Sequence, residues 1–292
     1  MARNQSFGEL IFDMFNYIFL SLLIIVTLYP CLYVLFASLS NPMRIYENAG
    51  ILLYPKEFNT TAYENVLRSV RVWTGYRNTV FYVLCGGAFS VFVTIITAFS
   101  LTRKGLPGKN IFLFLIMFTT YFPGGLIPMY LVVKGLKMLD TVFAMIIPGA
   151  ISVYNLIITI SYFRSLPGTM EEAAKIDGAN EFTVLFRIMI PLAKPIIAVI
   201  SLYYMVAIWN DYFSALVYLS DWKRFPLQMV LREILIQDNI RDLEAGVIDS
   251  RAAYTENLKF AVIVVSAVPI LAVYPFIQKY FVKGVMIGAI KG

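Results

Sequence analysis

With 292 residues, 59% of them apolar and 14% charged, the chain lies far from a soluble domain, in which about a quarter of residues are charged. A net charge of +6 without a single histidine excludes chemistry built on an imidazole base, relay or metal ligand. Attraction to anionic lipid head groups accounts for the positive charge without nucleic acid.

The apolar residues come in runs of about 20 or more, enough to cross about 30 Å of hydrocarbon. Six spans are predicted, at about 14–38, 77–101, 111–133, 141–163, 192–219 and 260–281. Each must be helical in lipid, where an unpaired amide costs several kcal/mol. The predicted fold class is therefore an all-α polytopic membrane protein, one domain over residues 1–292. The first run is too long for a cleaved signal core and has no small-x-small site, so it is expected to stay as a span. Cys31 and Cys85 fall inside apolar runs and read as packing residues, not as a disulfide framework or metal site.

An even number of spans places both termini on one side. Arg103, Lys104 and Lys109 crowd one tight loop, and Lys279, Lys283 and Lys291 lie in the tail, so both are expected inside the cell. Segments 41–76, 134–140 and 220–259 then face outward. Pro123-Gly124-Gly125 interrupts the third span or marks its outer end, through close helix packing or through backbone opened to a substrate route. In the fourth span Asn155 suits a bond between helices or a substrate path.

Between spans four and five lies a polar, punctuated stretch, Thr169 to Pro195. Thr169 is expected to cap a short helix, with Glu172 completing a capping box. Regularity breaks at Asp177-Gly178-Ala179, where glycine permits turns and close approaches. A second piece is expected from about Asn180 to Ile190, with Phe182, Leu185, Phe186 and Met189 on one side. Pro191 withdraws a donor and Pro195 shapes entry to span five. Small residues Ala173, Ala174, Gly178 and Ala179 would let a partner approach the backbone, with the larger apolar residues as anchors. An amphipathic linker lying on the inner leaflet explains the same pattern.

In span five, Trp209, Asn210 and Asp211 bring polarity to membrane depth. Asp211 suits contact with the hydroxyl groups of a substrate or the capping and tying of helices. Tyr203 and Tyr204 add aromatic faces to the same candidate path. The mixed charges of the 220–259 loop, from Asp221, Lys223 and Arg224 through Arg232, Glu233, Asp238, Arg241, Asp242 and Glu244 to Asp249, suit solvent or a charge-selective partner.

Glu172-Ala173-Ala174, two residues, Asp177-Gly178-Ala179, eight residues, then Ile188 and Pro191 resembles the EAA loop of membrane subunits of binding-protein-dependent ABC importers. Length and span number resemble the carbohydrate branch, in particular the smaller permease of maltose-type systems. Phe122-Pro123-Gly124-Gly125-Leu126-Ile127-Pro128 followed by Leu139-Asp140-Thr141 is similar to permeases for oligosaccharides derived from alginate or rhamnogalacturonan.

The resemblance implies a type I importer permease in the bacterial cytoplasmic membrane with both termini cytoplasmic. Its implied partners are a second homologous permease, two cytoplasmic ATPases, an extracytoplasmic solute-binding protein, an oligosaccharide and membrane lipid. Glu172, Ala173, Ala174, Asp177, Gly178 and Ala179 are the implied coupling residues. No Gly-Lys-Ser/Thr phosphate loop is present, so the chain is expected to bind no cofactor and to leave ATP-Mg to its partner ATPases. The rival readings are a self-contained secondary transporter or channel subunit, for which Asp211 would be the ion site, and a membrane receptor that moves nothing.

Overall fold

The computed structural model describes residues 7–47, 50–103, 105–245, 257–272 and 275. Lys104, Asp249, Lys279, Lys283, Lys291 and the end of the sixth predicted span lie outside the described residues. The chain divides into two compact units, residues 1–69 with 233–267, and residues 70–232 with the remainder from 268.

The first unit contains α1 (Phe7–Ser38), α2 (Pro42–Glu47) and α3 (Thr61–Arg68), with parts of α14 (Leu227–Ala245) and α15 (Asn257–Ala272). At 1.5 Å per residue α1 reaches about 48 Å, more than a bilayer core requires. Its apolar side chains are largely exposed, as a lipid-facing or partner-facing helix needs. The C-terminal end of α1 is fastened by polar groups. Ser38 Oγ and the Tyr63 hydroxyl are 2.6 Å apart, and the buried Asn257 amide donates to the Ala37 and Ser40 carbonyls at 2.7 and 3.1 Å. These bonds tie the Ala37–Ser40 turn to Tyr63 and Asn257.

The second unit is built on α4 (Val70–Thr102), which packs against α12 (Lys194–Trp209) and α8 (Val153–Ser165). Ile95, Ala98 and Phe99 of α4, Leu156, Ile160 and Phe163 of α8, and Ile200 and Tyr204 of α12 form one buried cluster. Its polar members are paired: Thr94 Oγ1 lies 2.7 Å from the Tyr204 hydroxyl, which also accepts the Ser152 amide at 2.9 Å. One phenol thus joins α4, α12 and the start of α8.

Three of the predicted runs are broken, the third run at the interruption read at Pro123-Gly124-Gly125. Only α1 and α4 are, among the described residues, single helices long and apolar enough to cross a membrane, with two further spans if each bent pair counts as one. The 111–133 run divides into α5 (Lys109–Tyr121) and α6 (Leu126–Gly135), turned by 117° at Pro123-Gly124-Gly125. The 141–163 run divides into α7 (Val142–Ile146) and α8 around Pro148-Gly149. The 13 residues of α8 reach about 20 Å, short of the hydrocarbon thickness. The 192–219 run divides into α12 and α13 (Phe213–Tyr218) at Asn210-Asp211.

At the N-terminal end of α4 the segment 220–227 is pinned almost entirely by neutral side chains to backbone groups. Asn78 donates to the Lys223 and Phe225 carbonyls at 2.8 and 3.0 Å, Tyr82 to the Arg224 carbonyl at 2.9 Å, and Thr79 Oγ1 accepts the Leu227 amide at 2.8 Å. Asp140, at a left-handed φ of 57°, accepts the Ser220 and Asp221 amides at 2.8 and 3.0 Å. Those two N–H groups hold its carboxyl below the ordinary range. Gly75 makes the approach of α14 feasible, since a Cβ there would meet the Leu227 Cα at 3.1 Å.

Candidate coupling site

The polar stretch folds as an elbow. Its first arm is α9 (Thr169–Ile176), and its second runs from Glu181 to Leu192 as α10 (Glu181–Thr183), a π-helical segment Val184–Met189 and α11 (Ile190–Leu192). The expected capping box is absent: Gly168 occupies the N-cap position of α9, Thr169 is already helical, and no side chain caps the start. Glu171, in the first turn, pairs with neighbouring cations, described below. The second arm is capped as its sequence permits, with Asn180 Oδ1 accepting the Thr183 amide at 2.8 Å.

The turn between the arms follows from Gly178. Its φ is +83°, which L side chains rarely adopt. The Gly178 amide donates to the Lys175 carbonyl and the Ala179 amide to the Ala174 carbonyl, at 3.1 and 2.9 Å. This is the paired 5→2 and 6→1 pattern of a Schellman cap, and it satisfies carbonyls that the helix end leaves open. No atom lies within 4 Å of a Cβ built at Gly178, so its outer side is clear.

The small residues divide between two surfaces. Ala174 and Ala179 pack against the core cluster, whereas Glu172, Ala173, Asp177 and Gly178 face outward. Beside them stand Met170, 53% exposed, Ile176, 86% exposed, and Phe182, 75% exposed. Sequence reasoning missed Met170 and Ile176 as anchors, although both are apolar residues in a stretch otherwise rich in charge. It also placed Phe182, Leu185, Phe186 and Met189 on one side. Leu185 and Met189 are buried, while Phe182 and Phe186 are exposed, because the π-helical segment turns more slowly than an α-helix.

Four charges bind the elbow to the end of α4. The Arg103 guanidinium pairs with Glu171 and lies 3.5 Å from Glu181, and Lys175 Nζ lies 2.9 Å from Glu171 and 3.0 Å from Glu181. Burial alone would raise the Glu171 carboxyl, but the hydrogen bonds from Lys175 and Arg103 outweigh it and hold the group below its usual range. Hydrogen bonds to Glu171 and Glu181 push the Lys175 ammonium up. A cleft of about 590 Å³ opens beside this cluster, bordered by Arg103, Leu106, Glu171, Glu172 and Glu181.

The residues singled out for a substrate path do not share one environment. Tyr204 and Asn155 are buried, the former in the hydroxyl network described above. Asp211 Oδ1 accepts the Ser214 amide at 3.0 Å at the start of α13, a capping contact. Asn210 donates to the Val206 carbonyl at 2.9 Å and is exposed. Tyr203 and Trp209 border an apolar cleft of about 670 Å³, and the buried Trp209 indole N–H has no partner among the described residues.

An α-helical bundle with membrane-length helices and a separate polar elbow defines a membrane-embedded permease, not a soluble enzyme. The chain matches the model of the binding-protein-dependent transport system inner membrane component over residues 90–287 and belongs to that family. It is thus the permease-type subunit of a binding-protein-dependent ABC importer, and membership implies paired permease, ATPase and solute-binding subunits.

Two relatives from Bacillus subtilis (strain 168) align over nearly their whole length. Protein LplC is 40% identical over 99% of this chain and 98% of its own. The polygalacturonan/rhamnogalacturonan transport system permease protein YtcP is 39% identical over 97% and 99%. A chain of a bacterial ABC transporter involved in the import of the acidic polysaccharide alginate superposes with a TM-score of 0.86 at 33% identity, covering 95% of this chain and 99% of that one.

Proposed function

We propose that this chain forms half of the translocation path of an oligosaccharide importer and couples it to separate ATPases through the elbow at 164–191. The whole chain acts as one permease domain with six spans and both termini in the cytoplasm, in the bacterial cytoplasmic membrane. Relatives named for rhamnogalacturonan and alginate support a saccharide cargo.

One observation carries the coupling role: exposed Ile176 and Phe182 flank the unobstructed face of Gly178, on an elbow otherwise fastened to its own core. Exposed apolar side chains grouped around a left-handed turn suit insertion into a groove of a partner. Glu172, Ala173, Asp177 and Gly178 would meet the ATPase, and Ala174 and Ala179 would hold the elbow to the permease. ATP-driven closure of the ATPases then pushes the elbow and turns the path outward toward a loaded binding protein. Trp209, Asn210 and Asp211, at the break between α12 and α13, with Tyr203 nearby, are the residues proposed for the path. Asn155 and Tyr204 would shape it from behind.

The test is purification of the intact assembly from its native membrane, identification of its subunits, and a screen of oligosaccharides for stimulated ATP hydrolysis. Stimulation by a loaded binding protein is expected. Ion-driven oligosaccharide uptake by this chain alone in liposomes would overturn the proposal in favour of a secondary transporter.

A further inference from the structure

The family model and the proposed coupling residues give no role to Arg103, which directly follows α4. Its amide still bonds back to the Ser100 carbonyl at 3.2 Å, so its backbone moves with that helix. Its guanidinium lies over the Phe99 ring at 4.1 Å from the centroid, and the side chain is 19% exposed. From this fixed position it reaches Glu171 on the first arm of the elbow and Glu181 on the second. The two arms are tied to each other by Lys175, which bonds to both carboxylates. Arg103 is therefore the charged group that joins both arms to the longest helix of the second unit, whose core the second arm also enters through Val184, Leu185 and Met189.

Ala174 and Ala179 also press the elbow against the core, but apolar contact has no preferred direction and permits sliding. Charge-assisted bonds from a planar guanidinium fix direction as well as distance. Partial burial of Arg103 and Glu171 makes their pairing stronger than that of a fully exposed pair, while leaving it open to salt. Glu181, at 52% exposure, is the weaker anchor.

We propose that Arg103 is a positioning residue for transport: through Glu171 and Glu181 it locks the coupling elbow to the inner end of α4, so that displacement of the elbow becomes displacement of the helix. This rests on the coupling role proposed above. Without the lock, a push on the first arm is absorbed by sliding at the alanine contacts, while Val184, Leu185 and Met189 keep the second arm in the core. The ATPases would still bind, because Ala173, Asp177, Gly178 and the exposed Ile176 and Phe182 take no part in the ion pairs.

The experiment uses the complete assembly in nanodiscs, with Arg103→Gln, Glu171→Gln, their combination, Glu181→Gln and Arg103→Lys. Copurified ATPase, basal hydrolysis, hydrolysis stimulated by the loaded binding protein, and transport per ATP are measured for each. Arg103→Gln and Glu171→Gln should each cut stimulation by about fivefold or more, the scale of a typical coupling between sites, with bound ATPase and basal hydrolysis retained. The double variant should be no worse than the worse single one, since both break the same link. Glu181→Gln should lose less, and Arg103→Lys should fall between because an ammonium keeps the charge but loses the planar, directional bonding and the stack on Phe99. Wild-type stimulation should decline with added salt more steeply than that of Arg103→Gln, a dependence that a packing role would not produce.

Unchanged stimulation in Arg103→Gln, or losses that add fully in the double variant, would overturn the lock. If Arg103→Gln does not assemble, Glu171→Gln decides: retained stimulation overturns it and selective loss supports it. A wild-type assembly that its binding protein does not stimulate would instead overturn the proposed function.

Discussion

The two ends of α4 hold their loops by different physics. At the N-terminal end, Asn78, Thr79 and Tyr82 pin segment 223–227 through hydrogen bonds to its backbone, and Gly75 admits the first turn of α14 at van der Waals distance. At the C-terminal end, the elbow is held by Arg103, Glu171, Lys175 and Glu181, all charged and most on long side chains. Backbone-directed bonds between neutral groups define a single geometry and respond little to salt. An ion-pair cluster can exchange partners and yields to screening. The first end is fixed by its geometry, and the second is open to rearrangement.

The largest effect expected from breaking this contrast is at Gly75. Gly75→Leu would drive a side chain into the Leu227 backbone, and overpacking of this kind costs about 1–3 kcal/mol. A lower thermal midpoint of the purified protein in detergent checks it. Next is Gly178→Val, which places a β-branched residue at φ +83°, at a cost of about 1–2 kcal/mol. Because the site is open and local, the whole-protein midpoint should barely move. Hydrogen exchange at the Ala179 amide should accelerate, and stimulated hydrolysis by the assembly should fall.

Asp140 gives a graded comparison. Asp140→Ala removes the acceptor for two amides at a left-handed position and should cost about 1–2 kcal/mol, whereas Asp140→Asn keeps an acceptor and tolerates that φ, at under about 1 kcal/mol. Urea unfolding of both variants tests the order.

The smallest effects are those of solution conditions. The folded-state carboxyl of Glu171 titrates below its unfolded value, so its contribution is present above the ordinary carboxylate range and is lost as pH falls through the depressed value. Lys175 has the opposite sign: its contribution is present below the ordinary lysine range and is lost as pH rises through the elevated value. Between these limits, added salt should speed exchange at Gly178 and Ala179 while leaving the Leu227 amide unaffected.

The elbow was legible because its signals are local. A charged segment, a glycine at the turn and the spacing from Glu172 to Pro191 all lie within 20 residues. The ion-pair lock was not, because Arg103 and Glu171 are 68 positions apart and nothing in either neighbourhood names the other. The same holds for Asn78 and Lys223, separated by 145 positions. Hydropathy located the apolar runs but not their paths. Average polarity over a window is insensitive to a 117° bend, though Pro123-Gly124-Gly125 had marked that interruption. Pro148-Gly149 carried the same kind of mark in the fourth run and was passed over. The capping box failed because the helix begins one residue earlier than a Thr169 cap would require, with Gly168 at the N-cap and Thr169 already helical.

The π-helical segment at Val184–Met189 has a mechanical corollary. A helix wound at 3.6 residues per turn advances about 100° with each residue, and the π segment fits one more residue into the same rotation, so restoring ordinary winding while keeping that residue would rotate everything before it by roughly that angle about the axis leading to α12. Phe182 and Ile176 would then swing away from the bearing they now hold. The extra residue thus acts as an angular setting, which aims one end of a rod without altering what either end is made of.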